Sequence, residues 1–239
     1  MPSKLINTVD EHVVKHISEL LSKAGVPSFL WGDYILTIFG VPSIIGGIDF
    51  VIPDDELPTA VAVLKNSGLE PCPAPKLCIV SREERQSPVP VFHMHIHEQD
   101  VSVSLRAHSE TLWFAPTPGG ADPAWRSYYI SASDTSLPKP RPRRGHGAFS
   151  PDGPEVLIPR AHVLLEAYIR LASAFRDDFA NFFLSMVNYI EEYVECDDLI
   201  DNNLLSKPCR DFWDETKKGR RPVIELVNQL QLALNDVPD

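Results

Sequence analysis

The stretch FLWGDYILTIFGVPSIIGGIDFVIPDDEL, Phe29 to Leu57, holds two glycine-centred turns and one acidic residue beside an apolar run. SFLW predicts a short strand, which is followed by a turn at Gly32 and a short helix, DYILTIFG. IDFVIP is short, apolar and rich in β-branched residues, which indicates a buried strand that Pro53 ends. Asp49 therefore stands at the start of a buried strand, where a carboxylate requires a partner or a function.

On both sides of this stretch the sequence alternates between helical and extended patterns. Apolar residues at helical spacing predict a helix from about 7 to 24, and DDELPTAVAVLKNSG predicts another. Between about 70 and 130 the strand candidates are KLCIVS, PVFHMHIH and DVSVSLR, with TLWFAP and RSYYIS as short extended pieces. The last third contains four helical patterns: RAHVLLEAYIRLASAF, DDFANFFLSMVNYIEEYV, PCRDFWDETKKG and RPVIELVNQLQLALND.

These patterns predict an α/β (α+β) fold with an N-terminal α/β half and a C-terminal helical half. The sheet and its helices would occupy residues 1–136 and a C-terminal helical subdomain residues 160–239. Residues 137–159, rich in proline and arginine and without periodicity, predict a connector along the surface.

Composition narrows the class of partner. A net charge of −11 and a pI near 5.1 oppose bulk binding to a nucleic-acid backbone. No apolar run is long enough to cross a bilayer, and the acidic amphipathic N-terminus is unlike a signal peptide, so a cytoplasmic protein is expected. The expected partner is a small-molecule or nucleotide ligand; the oligomeric state is left open.

The four cysteines are Cys72, Cys78, Cys196 and Cys209, and no pair has C-x-x-C spacing. This spacing favours scattered reduced thiols over a zinc site or a disulfide framework.

The order helix, strand, glycine turn, helix, acidic strand resembles the nucleotidyltransferase superfamily with the polymerase-β-like fold. The matching positions are Trp31, Gly32 and Asp33, then Gly47 and Asp49. RPRRGHGAFSPDG and FLSMVNYIEEYVECDDLID are also similar to small stand-alone fungal members of that superfamily. The resemblance implies a nucleotidyltransferase-type mixed β-sheet flanked by helices, and the transfer of a nucleotide from a nucleoside triphosphate with Mg²⁺ or Mn²⁺. Asp49 would be the catalytic metal ligand, with Gly32 and Asp33 at the phosphates.

Two departures from the family motif bear on activity. The family places two carboxylates at alternate positions of one strand, where both reach the same metals. Here Gly47 stands in the place of the first carboxylate, so only Asp49 remains. Asp33 stands where a small neutral residue normally meets the phosphates, and its charge would repel them.

The strand PVFHMHIH offers imidazoles where the family has a third acidic ligand. His93, His95 and His97 alternate and so share one face. One interpretation is a metal site of Asp49, His93 and His95, with His95 taking a catalytic role and zinc as an alternative to magnesium. The other is a half-solvated strand face without a metal.

The segment KPRPRRGHG has two interpretations as well. Arg143 and Arg144 could bind phosphate, because guanidinium groups match phosphate oxygens. Alternatively, the segment is a proline-stiffened connector with solvated charges.

Three functional hypotheses follow. The first is an active nucleotidyltransferase that modifies a small molecule or a protein. The second is a catalytically degenerate member of the fold that binds a ligand or a partner. The third is a pocket repurposed for other small-molecule chemistry through Asp49 and the histidine strand.

Overall fold

The computed structural model describes residues 10–74, 76–82, 87–96, 101–120, 123–175 and 178–235. The chain divides into two compact units, Met1–Pro159 and Arg160–Asp239. The first contains the sheet and the second is helical.

A five-stranded mixed sheet forms the centre of the first unit. Its strand order is β1-β2-β5-β4-β3, in which β2 and β5 are parallel and the other neighbours are antiparallel. A two-stranded antiparallel sheet, β6-β7, lies in the same unit. The strands are β1 Phe29–Trp31, β2 Gly47–Ile52, β3 Glu70–Pro71, β4 Phe92–His95, β5 Ser102–Ala107, β6 Tyr129–Ser131 and β7 Leu157–Pro159.

Three helices accompany these strands: α1 Glu11–Lys23, α2 Asp33–Ile38 and α3 Leu57–Lys65. Asp10 caps α1 by accepting hydrogen bonds from the backbone N–H groups of His12 and Val13. Helix α3 contacts β4, β5 and α1, and α2 contacts β1 and β2. The predicted mixed sheet flanked by helices is thus confirmed.

The two faces of the sheet differ in character because strand residues alternate in direction. One face is apolar and contains Ile48, Phe50, Val103, Leu105 and Met94, all buried. The other face carries polar side chains at aligned positions of β2, β5 and β4: Asp49, Ser102, Ser104, Arg106, His93 and His95. We call this second surface the polar face. Of the candidate site residues that the sequence singled out, it contains Asp49, His93 and His95.

Within its described residues, 160–175 and 178–235, the second unit contains four α-helices: α4 Ala161–Ala174, α5 Asp178–Tyr189, α6 Lys207–Lys218 and α7 Val223–Asn235. Tyr168, Phe183 and Trp213 are buried in it. Glu166 ties α4 to the start of α6, because its carboxylate accepts from the backbone N–H of Ser206 and from Arg170. The predicted C-terminal helical region is therefore present.

Three local predictions were wrong. TLWFAP, which was predicted to be a short extended piece, forms a turn in which the N–H of Ala115 donates to the carbonyl of Leu112. KLCIVS forms turns, in which the N–H groups of Leu77 and Cys78 both donate to the carbonyl of Ala74, and Leu77 is 72% exposed. The apolar pattern of this segment therefore does not correspond to a buried strand. The aperiodic connector contains β7, which pairs with β6. The proposed helix start at 7–9 and His97 lie outside the described residues.

No helix in the described ranges combines the length and the apolar content needed to cross a membrane.

Candidate functional site

The Gly32 turn and Asp49 meet, as the motif predicts. Gly32 joins β1 to α2 with φ 71° and ψ −148°, a backbone conformation that is essentially restricted to glycine. A Cβ atom at this position would lie 2.5 Å from Oδ2 of Asp49. Glycine is therefore required twice here, for the dihedral angles and for the close approach of the carboxylate.

The carboxylate of Asp49 is paired with Arg106. The Arg106 Nε–H donates to Oδ1 of Asp49 at 3.1 Å, and its Nη1 donates to the carbonyl of Pro88 at 2.9 Å. The side chains of Arg106 and Asp49 are only 11% and 14% exposed. This ion pair accounts for an acidic residue at the mouth of a buried strand.

The surroundings of Asp49 do not fit the divalent metal ions that the superfamily uses. Gly47 offers no side chain, and β5, the strand beside β2, presents Ser102, Ser104 and Arg106 on the polar face. Asp49 is the one carboxylate on β2 and β5, both of which are described in full. One carboxylate already bound to a guanidinium is a poor ligand set for two magnesium ions.

The histidines of β4 lie beside cysteines. His93 and His95 align with Ser104 and Ser102 of β5, so that β5 separates them from Asp49 on β2. The Sγ of Cys78 lies 3.4 Å from Nε2 of His93 and 3.5 Å from Nε2 of His95.

Cys72 completes this group. One ligand atom from each of Cys72, Cys78, His93 and His95 lies within 4.8 Å of the others. The interpretation of these two cysteines as scattered thiols was therefore wrong. The pattern C-x5-C followed by H-x-H was visible in the sequence, but its spacing lacks the short C-x-x-C that marks common zinc sites. Asp49 is not a member of the group.

The other residues that were predicted to contact phosphate lie at opposite ends of α2. A Cβ on Gly46 would lie 3.5 Å from Oδ2 of Asp33, which places that carboxylate at the loop before β2. The loop that carries Arg143 and Arg144 is bound at the opposite end of α2, where Gly145 donates to Gly40. Phosphate binding by Gly32, Asp33 and the two arginines stays a prediction.

An open groove of about 800 Å³ is found elsewhere in the first unit. It runs past Ser18 and Glu19 of α1, Trp125 and Glu155. The predicted site residues that the structure describes do not line it, so it is separate from the Asp49 region.

His108 follows β5 and packs its ring edge against Phe29, with ring centroids 6.2 Å apart. Burial lowers the pKa of His108, although the nearby Asp54 carboxylate acts in the opposite direction. Asp54 is held in turn by hydrogen bonds from the backbone and hydroxyl of Ser109.

The lowered pKa of His108 predicts a loss of stability in mild acid. Because its folded-state pKa lies below the unfolded value near 6.5, the unfolded chain takes up more protons as the pH falls. The stability contributed by neutral His108 is fully present above that unfolded value and is lost as the pH falls through the lower folded-state pKa. We expect His108→Gln to flatten this decline by at most about 1.4 kcal/mol per pH unit, measured by urea unfolding. His16→Gln, on the exposed side of α1, is the control. Equal pH slopes for His108→Gln and the wild type would contradict the prediction.

Comparison with known proteins gave one likeness of structure. No family model matches the chain, and no curated protein matches it. A solution structure of the antibiotic-resistance factor ANT(2'')-Ia aligns with a TM-score of 0.41 and 13% identity over 94% of this chain and 90% of that one. A likeness with a TM-score this low carries no argument about the family, the substrate or the activity of this chain.

Proposed function

We propose that this chain is a catalytically degenerate nucleotidyltransferase-fold protein that binds a ligand or a partner. The observation that supports it is the ion pair between Asp49 and Arg106, at the position where the superfamily motif would hold its metals. The alternative, an active enzyme that transfers a nucleotide from a triphosphate with a divalent metal, requires that carboxylate to be free.

Electrostatics favours the degenerate form. A guanidinium remains protonated at any pH at which the protein is folded, so Arg106 neutralises Asp49 permanently. A metal ion at Asp49 would have to displace this cation and leave a buried arginine without its partner. Gly47 provides no second carboxylate to compensate for that cost.

The contacts of His93 and His95 with Cys78 also weigh against the repurposed pocket. Imidazoles engaged with a thiol are not free to act as acid or base for a substrate beside Asp49. We therefore propose that the protein binds a small-molecule or nucleotide ligand, or a protein partner, and that no reaction takes place at Asp49. It expects no bulk nucleic-acid binding and places the protein in the cytoplasm, where thiols stay reduced.

A thermal-shift screen with nucleoside triphosphates tests the proposal. We expect that adding Mg²⁺ or Mn²⁺ to a triphosphate causes no further rise in the melting temperature, because strands β2 and β5, both described in full, carry no carboxylate pair that would hold the metal against the phosphates. The same samples are assayed for triphosphate consumption, with none expected above background.

Two asparagine variants provide the comparison. Asp49→Asn removes the motif carboxylate, and Asp55→Asn makes the same change of charge at an exposed position just after β2. Both should respond to triphosphate and metal as the wild type does. A metal-dependent shift or turnover that Asp49→Asn loses and Asp55→Asn keeps would establish the active enzyme instead.

A further inference from the structure

We propose that Cys72, Cys78, His93 and His95 form a structural zinc site at the β3–β4 edge of the sheet. The four side chains supply two sulfur and two nitrogen donors, all within 4.8 Å of one another. This is the Cys₂His₂ donor set of structural zinc sites. It differs from the oxygen ligands that magnesium and manganese require, so the site is independent of the nucleotide question at Asp49.

The sheet register places three of the four donors. His93 and His95 alternate along β4 and therefore point to the same face. Strand β3 pairs with β4 antiparallel, with Glu70 opposite His95 and Pro71 opposite Met94. Continuing this register by one residue sets Cys72 opposite His93, on the face that the two histidines share.

A turn brings in the fourth donor. Both Leu77 and Cys78 donate backbone hydrogen bonds to the carbonyl of Ala74, which folds the chain back toward β4. The backbone N–H of Val80 donates to the Sγ of Cys78 at 3.4 Å. Amide-to-sulfur bonds of this kind stabilise a thiolate that serves as a metal ligand.

Two of the separations between donor atoms match a zinc tetrahedron. With Zn–S about 2.3 Å and Zn–N about 2.0–2.1 Å, a sulfur and a nitrogen on one tetrahedral zinc are about 3.6 Å apart. The two observed separations from the Cys78 Sγ are 3.4 and 3.5 Å. A thiol–imidazole hydrogen bond explains one such contact, whereas the convergence of all four donors is what a metal requires.

Four protein donors leave no coordination position for water or substrate, so the zinc is structural and not catalytic. Its role follows from the fold around it. Strand β3 has only two residues, too short to hold the edge of a sheet by its ladder alone. The turn after it exposes Leu77 and Ile79, at 72% and 68%, so burial of these side chains does not hold the turn in place. Zinc coordination would hold this segment against β4 in place of the burial of apolar side chains.

Metal content of the full-length protein is the first test. Protein purified under reducing conditions from zinc-supplemented cells should contain about one Zn²⁺ per chain by elemental analysis. Cys78→Ser and His95→Gln should reduce the content to background. Cys196→Ser, which changes an exposed cysteine outside the cluster, should keep it.

Cobalt substitution tests the site in the wild-type protein, so the result does not depend on whether the variants fold. Wild-type protein stripped of metal by a chelator is titrated with Co²⁺, which should give the visible absorption of tetrahedral cobalt and the near-ultraviolet band of cobalt–thiolate bonds. Zinc should abolish both signals and raise the melting temperature of the stripped protein.

Three results would overturn the site. In the first, the wild-type protein contains no zinc and gives no cobalt–thiolate spectrum. In the second, Cys196→Ser loses as much metal as Cys78→Ser. In the third, the cobalt spectrum is that of an octahedral ion. None of these results concerns triphosphate binding, so the zinc site and the proposed function can fail separately.

Discussion

Arg106→Ala is expected to lower the free energy of unfolding by about 2–4 kcal/mol. The substitution leaves the Asp49 carboxylate, 14% exposed and packed against the Gly32 turn, without its cation. It also removes the hydrogen bond that Arg106 donates to the carbonyl of Pro88. A buried charge without a partner costs far more than the pair itself contributes. Urea unfolding, followed by circular dichroism, measures the change.

The double variant identifies the cause. When Asp49→Asn is added to Arg106→Ala, the unpaired charge disappears, and we expect part of the lost stability to return. Arg221→Ala is the matched control, because Arg221 forms an exposed i,i+4 pair with Glu225 and its loss should change stability by about 0.5 kcal/mol or less. If Arg106→Ala were as mild as Arg221→Ala, Asp49 would not depend on this partner and could be available to a metal.

Gly145→Ala is expected to destabilise the first unit by about 2–3 kcal/mol through overpacking. A Cβ at Gly145 would lie closer than 3.0 Å to the backbone carbonyl oxygens of Thr37 and Val41. Backbone atoms cannot rotate away as a side chain does, so the loop would have to leave the end of α2. The hydrogen bond from the Gly145 N–H to the carbonyl of Gly40 would be lost with it.

Gly120→Ala is the control for this prediction. Its Cβ would lie 3.5 Å from the carbonyl of Thr117, an ordinary contact, and Gly120 does not have a positive φ. It should change the urea midpoint little, whereas Gly145→Ala should lower it and increase proteolysis near Arg143 and Arg144. Equal midpoints for the two variants would show that the loop is not bound tightly to α2.

Much of the fold was readable from local patterns. The strands that contain Asp49 and Phe92–His95 and the helices of the second unit follow apolar periodicity, which reports burial on one face of an element. The two-residue strand β3 and the short β7 carry too little pattern to be recognised, since their pairing depends on a neighbour distant in sequence. KLCIVS shows the opposite error. Its apolar and β-branched residues predicted a strand, but the structure has turns there.

The candidate site also has one part that the sequence predicted and one part that it did not. The Gly32 turn and Asp49 were found from a motif because a close backbone approach demands glycine at one place in the chain. A sequence motif could not predict that Asp49 pairs with Arg106. It also could not predict that the four donors come together, namely Cys72, Cys78, His93 and His95. Both join residues far apart in the chain, and only strand order and register decide which of them meet.

The sequence by itself thus determined the glycine turn, the lone carboxylate on β2 and the histidine pair on β4. These features depend on the local backbone and on alternation along a single strand. The tertiary structure decided what those groups do: an arginine on the neighbouring strand neutralises Asp49, and two cysteines face the histidines. The physical reason is that a side chain's charge state and ligands are set by its neighbours in space, and residues on different strands become neighbours only when the sheet assembles.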